Sequence, residues 1–249
     1  MSALSAELIK LKRSLAWPIV VFLPIVLVLA GAATQLAAGR TPENGWHTVW
    51  LQSVGFYGLF PIAIGIAILG SLVWRPEHRG SNWNALMSGP VSSVHIITAK
   101  AIIVAALTAI MQVILLAAVI VIGKAAFGLP GMLPAEYLAV TGLLIVATIP
   151  AAALQSALSM FLRSFAAPIA IALVASGIST AALMALGNAA LVSPYGVATR
   201  TALLGTGSFV DTGAATGGDI TAILAATVIL TGLILALTTV ILERRDTRI

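Results

Sequence analysis

The chain has 249 residues, of which 60% are apolar and only 8% charged, with a formal net charge of +5. Soluble domains average about 25% charged residues, and a water-soluble fold of this length could not hide so much apolar surface, so lipid is the solvent for most of the chain. The basic residues are few and sit in gaps between apolar runs, which points to orientation against a bilayer and not to nucleic acid, and the absence of cysteine excludes disulfide and thiolate chemistry.

Residues 1–15 place Leu4, Leu8, Leu11 and Leu15 at helical spacing, with Lys10, Lys12 and Arg13 between them. This fits an amphipathic helix lying in the membrane interface, and equally a basic tail that sets topology. A spanning helix needs about 20 mostly apolar residues. The first such run, 16–38, carries a cleavage-like Ala30-Gly31-Ala32. It is longer than the apolar core of a signal peptide, about 7–15 residues, and we read it as an uncleaved anchor. Further runs follow at 50–74, 100–123, 137–162, 165–190 and 220–242. None alternates as a lipid-facing barrel strand does, and open strands cannot cross a bilayer. The expected fold is all-α and polytopic: six transmembrane helices in a single membrane domain over 1–249.

Alternating the spans from a cytoplasmic N-terminus puts ten basic residues inside (Lys10, Lys12, Arg13, Arg75, Arg79, Lys100, Arg163, Arg244, Arg245, Arg248) and three outside (Arg40, Lys124, Arg200). Both termini are therefore expected in the cytoplasm of a cell-membrane protein. No charge falls within these span interiors, where one would mark an ion pathway. Pro18, Pro24, Pro61 and Pro150 lie inside spans, but proline is common in membrane helices, so its presence alone does not assign a kink. Two connections are long: a cytoplasmic one at 75–99 and an extracellular one at 191–219, where Tyr195–Leu204 reads as a short surface helix.

Chemistry is sparse. The Gly123-Lys124 pair has Ala118 and Ala125 where a phosphate loop needs glycine and a hydroxyl, so this chain has no ATP site of that kind. His47, His78 and His95 match no metal spacing and read as surface histidines. Ser176-Gly177 lacks the glycine-flanked turn and the later histidine of an intramembrane protease. Ser176, Ser179 and Thr180 are expected to bond their own helix backbone. Neither a catalytic nor a metal site is expected. Gln35, Gln112, Gln155 and Asn188 remain as interhelical glue or as candidates for a substrate path.

The 75–99 connection is the informative one. Ser81 or Asn82 would cap a short helix on which Trp83, Leu86 and Met87 share a face, and Gly89-Pro90 would end it. Ser92 or Ser93 would cap the next helix. The product is an apolar face with polar ends lying across the membrane surface.

Glu77, Gly80, Pro90, Val91, Ser92 and Lys100, in that order, resemble the connection between spans two and three in permease subunits of ABC-2 (type V) ABC transporters. The Asn82-Trp83 pair looks most like the lantibiotic-immunity and bacitracin-export branch. The resemblance covers the whole chain in layout and about 25 residues in motif. It implies two paired permeases, identical or related, each docked on a separate ABC ATPase that binds the ATP and Mg (two ATPase copies per complex). Glu77, Asn82, Trp83, Leu86 and Met87 would contact that ATPase, and an amphipathic or hydrophobic substrate would be exported. A secondary transporter would instead be expected to carry a buried charge or paired broken helices, and the substrate-binding subunit of an importer would need no helix here.

Overall fold

The computed structural model describes residues 10–11, 14–79, 92–208, 211 and 213–246, and among them there is no strand. The helices are α1 Ala16–Ala37, α2 Trp46–Leu59, α3 Pro61–Trp74, α4 Ser93–Ala125, α5 Ala135–Ala147, α6 Ile149–Phe161, α7 Ala166–Leu186, α8 Pro194–Ala202 and α9 Gly217–Asp246, with a 3-10 turn at Gly187–Val192. Among the described residues, five spans are long and apolar enough to cross a membrane, with α5 and α6 together forming one. The pair α2 and α3 makes a sixth, bent by 52°. The all-α polytopic expectation holds.

The bend has a local cause. Pro61 opens α3, with no N–H to bond Tyr57 and a ring that crowds its carbonyl, and Phe60 at the break sits at φ −131° and ψ −43°. Pro150 likewise follows the α5–α6 break, whereas Pro24 lies inside an unbroken α1. The prolines are thus of two kinds that composition does not separate.

Helices α3, α4 and α6 pack on one another at the centre; α1 lies against α2, α3 and α4, α7 against α3, and α9 against α6 and α4. The main core runs through Trp50, Tyr57, Ile66, Leu69, Val104, Met111, Leu115 and Leu144. Phe22, Val174, Ile178, Val228 and Leu237 point outward and exposed, as lipid-facing side chains do. Buried glutamines tie the spans: Gln112 donates to the Tyr57 hydroxyl at 2.9 Å, and Gln155 donates to that of Tyr195.

Three expectations need correction. The short helix at Tyr195–Leu204 is not on the surface. Residues Tyr195 to Ala202 of α8 are all buried, packed against α7, α5 and α2. Small residues permit this: a Cβ on Gly196 would overlap the Ala190 carbonyl, and one on Gly58 would overlap Ala202. The Thr199 hydroxyl donates to the Gly58 carbonyl at 3.0 Å. Second, α4 starts at Ser93, where a Ser92 or Ser93 cap was expected, but Lys100, assigned to the cytoplasmic connection at the edge of the span, lies well inside this helix and is 1% exposed. Ser92 stands at the cap position, but its hydroxyl pairs with His95 and not with the helix backbone. Third, Ser176 bonds its own helix at Leu173, but Ser179 reaches across to Ser193, and the buried Thr180 hydroxyl has no partner. Of the histidines, His95 is exposed, while His47 pairs with the Tyr137 hydroxyl and His78 with the Ser159 carbonyl, both half-buried.

Candidate functional site

The end of the bundle that carries the 75–99 connection gathers the described basic residues Lys10, Arg75, Arg79, Lys100, Arg163 and Arg244. Here Trp74, Ile96, Ile97, Met160 and Leu242 form a local core that also holds the C-terminal turns of α9.

The site grows from the last turn of α3. Trp74 is fully buried and donates its indole N–H to the Ser156 hydroxyl on α6 at 2.9 Å. The Lys100 ammonium sits 4.8 Å from the Trp74 ring centroid and donates to the Val73 carbonyl at 3.1 Å. This satisfies a cation that could not otherwise stay in an apolar interior. The chain then turns, and Glu77 comes back inward. Its Oε1 lies 3.1 Å from Lys100 Nζ and 2.6 Å from Lys10 Nζ. One carboxylate oxygen therefore joins the N-terminal segment, the α3 turn and α4. Next to it, His78 Nε2 donates to the Ser159 carbonyl at 2.7 Å, joining α6 as well.

Burial pushes the Glu77 carboxyl up, but the charge of Lys100 and hydrogen bonds from both lysines outweigh it, and its pKa lies below the ordinary carboxylate value. Glu77 is ionised at neutral pH. A buried ion pair is not a strong source of stability, but it is specific in geometry, because removing one member strands the other. The arrangement fixes the base of the connection relative to four elements at once.

Of the expected contact residues, Glu77 is buried at this base, while Asn82, Trp83, Leu86 and Met87 lie outside the described residues. So do most of residues 1–15; Leu11 packs against the main core and Leu15 is exposed. The substrate-path candidates do not converge: Gln112 and Gln155 are buried in the tyrosine pairs, Gln35 is half-buried near the end of α1, and the exposed Asn188 accepts from Arg200 Nε at 3.3 Å. The gluing role is the one these side chains perform at Gln112 and Gln155. Each keeps one buried Oε1 without a partner.

Residues 3–179 match the family described as ABC-2 family transporter protein. The chain belongs to this family. It is the membrane-spanning permease subunit of an ABC transporter, and its family implies an ABC ATPase as partner. Neither a curated protein nor a solved structure matches the chain.

Sequence reasoning placed Glu77 and Lys100 in the permease's motif but missed that they pair; it named Lys10 only as a basic residue of the N-terminal segment and missed Trp74. A usable signal was present: Lys100 stands among Ile96, Ile97, Ile103 and Val104, a context a lysine tolerates when it has a partner. A second buried cluster went unnoticed at the opposite end. Arg200, 5% exposed on α8, reaches Asp211 Oδ1 at 2.8 Å and Asp219 Oδ1 at 3.0 Å. Asp211 Oδ2 accepts the backbone N–H groups of Gly207 and Gly213 at 2.9 and 3.0 Å. Burial pushes the Asp211 carboxyl up, but these bonds and Arg200 outweigh it and leave its pKa below the ordinary value.

Proposed function

We propose that the permease is the membrane half of an ATP-driven exporter, oriented with its basic end and both termini in the cytoplasm. It moves an amphipathic or hydrophobic substrate (a peptide antibiotic, drug or lipid) out of the cell or membrane. We place it nearest the lantibiotic-immunity and bacitracin-export branch, where such export gives immunity or resistance. Two permeases, identical or related, pair in the complex, and each docks one ATPase subunit that binds ATP and Mg. The permease contributes no catalytic group of its own.

The observation that carries this reading is the Glu77 cluster. A transmission point has to be tied to the elements it moves, and Glu77 is held by Lys10 and Lys100 at the root of the 75–99 connection. Glu77 anchors the contact, and Asn82, Trp83, Leu86 and Met87 form its docking face, apolar at the centre and polar at the rim. A push on that face would pass through Glu77 into α4 and the N-terminal segment. The substrate path runs along the permease–permease interface; Gln35, Gln112, Gln155 and Asn188 are its polar candidates. Gln112 and Gln155 would enter it only when their tyrosine pairs open.

The experiment reconstitutes the permease with its ATPase and measures stimulated ATP hydrolysis and ATP-dependent substrate uptake into inside-out vesicles. Uptake is the expected result, because export fills the lumen of such vesicles; ATP-dependent depletion would overturn the direction. Leu86→Asp and Met87→Asp should each abolish stimulated hydrolysis and uptake with insertion intact. Normal values in both variants would overturn the docking face.

A further inference from the structure

Three arginines from two separate segments converge on one cavity of about 210 Å³. Arg75 and Arg79 come from the turn after α3, and Arg163 comes from the α6–α7 connection. The two segments are held in register. The Ser71 hydroxyl donates to the Phe165 carbonyl at 3.2 Å, and the Arg75 guanidinium lies 5.5 Å from the Phe165 ring centroid. His78 adds its bond to Ser159 on the same wall.

Among the described residues, no carboxylate lines this cavity. The nearest acid in sequence, Glu77, is engaged by Lys10 and Lys100. The sequence has no Asp or Glu between Glu77 and Glu136, and none between Glu136 and Asp211. Among the described residues the cavity lining therefore collects positive charge with no carboxylate of its own. Its lining combines the three arginines and three serines, Ser71, Ser159 and Ser164, with Leu162 and Phe165. The first turn of α7 opens beside it, with Ser164 Oγ accepting the Ala167 N–H at 3.3 Å, and its partial positive charge adds to the field.

Orientation alone does not require this convergence. A positive-inside bias needs basic residues on one side, in any arrangement. Guanidinium forks match a phosphate group, whose oxygens accept paired N–H donors, and three arginines line this one cavity. Basic pockets between membrane helices at the headgroup level take anionic lipid heads in this way.

We propose that the cavity binds a phosphate-bearing anion at the membrane surface. The headgroup of an anionic phospholipid is one source of that chemistry, and free inorganic phosphate is the other. The proposal rests on the chain spanning a membrane and is independent of the direction of transport and of the docking face. Because Arg75 and Arg79 flank Glu77, occupancy would fix the turn from which the 75–99 connection departs.

The test uses the full chain purified in mild detergent and titrated with phosphatidylglycerol or phosphatidylcholine, with bound lipid counted by native mass spectrometry. Wild type should retain phosphatidylglycerol in preference to phosphatidylcholine. A triple variant, Arg75→Gln with Arg79→Gln and Arg163→Gln, should bind it about 100-fold more weakly. Arg244→Gln, a basic change at the same end outside the cavity, should bind as wild type. Elution of the triple variant as a single species on size exclusion shows that it folds; if it does not, Arg163→Gln alone should still weaken binding. Inorganic phosphate that displaces the lipid supports the site and names both sources, and lipid that resists phosphate supports it and assigns the headgroup. Equal retention of the two lipids, or undiminished phosphatidylglycerol binding by the folded arginine variants, overturns the proposal.

Discussion

At the basic end one carboxylate, Glu77, is shared by two lysines; at the opposite end one arginine, Arg200, is shared by two aspartates. The two trios carry opposite net charge and differ in how bonds are distributed. Both lysines bond the same oxygen of Glu77, as compact point charges can. Arg200 spreads separate N–H groups over Asp211, Asp219 and Asn188, and Asp211 is held further by two backbone N–H groups. The arginine trio closes a lid: it pins α8, the segment after it and the first turn of α9 into one unit. The glutamate trio holds a joint. Lys10 is its weak arm, with a side chain 41% exposed, whereas that of Lys100 is 1% exposed. A cap tied at the Arg200 end and a pivot at the basic end are what the proposed exporter, driven from one side, would need.

The largest effect should come from breaking the cap. Arg200→Leu leaves a buried Asp211 and a partly buried Asp219 without their cation. Truncating one member of a buried pair costs about 3–5 kcal/mol, and this site belongs at the upper end because two carboxylates are stranded. Unfolding in mild detergent, followed by circular dichroism, should show that loss. A cost below that of Glu77→Gln would refute the distinction between cap and joint.

Glu77→Gln comes next, at about 3 kcal/mol. It strands Lys100, which still has the Val73 carbonyl and the Trp74 ring, while Lys10 can turn to water. Acid titration should mimic it. The pKa of Glu77 is depressed on folding, so its contribution is fully present above the unfolded carboxylate value and is lost as pH falls through the lower folded value. Asp211 behaves the same way. Wild-type stability should therefore decline below the ordinary carboxylate range, and Glu77→Gln should flatten part of that decline. An unchanged acid slope in the variant would show that Glu77 does not carry the linkage.

The architecture was readable because long apolar runs leave few alternatives in lipid, and the spans match those runs. What stayed hidden depends on rotation and close approach. Tyr195–Ala202 is rich in Gly, Ala and Thr, a composition that reads as surface in water but packs tightly against a bundle whose facing positions are equally small. The start of α4 was legible in Ser92 and Ser93, but Ser93, His95 and Thr98 dilute the apolar run, so the span was set from 100 and Lys100 was left in the connection. The glutamines were legible as polar glue, but their tyrosine partners were not, since spacing along one helix does not say which face of another it meets. The site was legible as a motif, Glu77 to Lys100, without the inward turn that joins its two ends.

Lys10→Met sharpens the comparison from its weakest point. The Lys10–Glu77 bond is short at 2.6 Å, yet the lysine side chain is 41% exposed. Exposed pairs contribute about 0–1 kcal/mol, so the variant should unfold within about 1 kcal/mol of wild type. If the trio is a joint, function should suffer more than stability: the N-terminal segment loses its tie to the α3 turn, and ATPase-stimulated transport should fall although the protein remains folded. Equal and small losses in both would make Lys10 an ordinary surface pair and confine the joint to Glu77 and Lys100. A stability loss as large as that of Glu77→Gln would mean that the N-terminal segment is part of the core and that the basic end is as rigid as the cap.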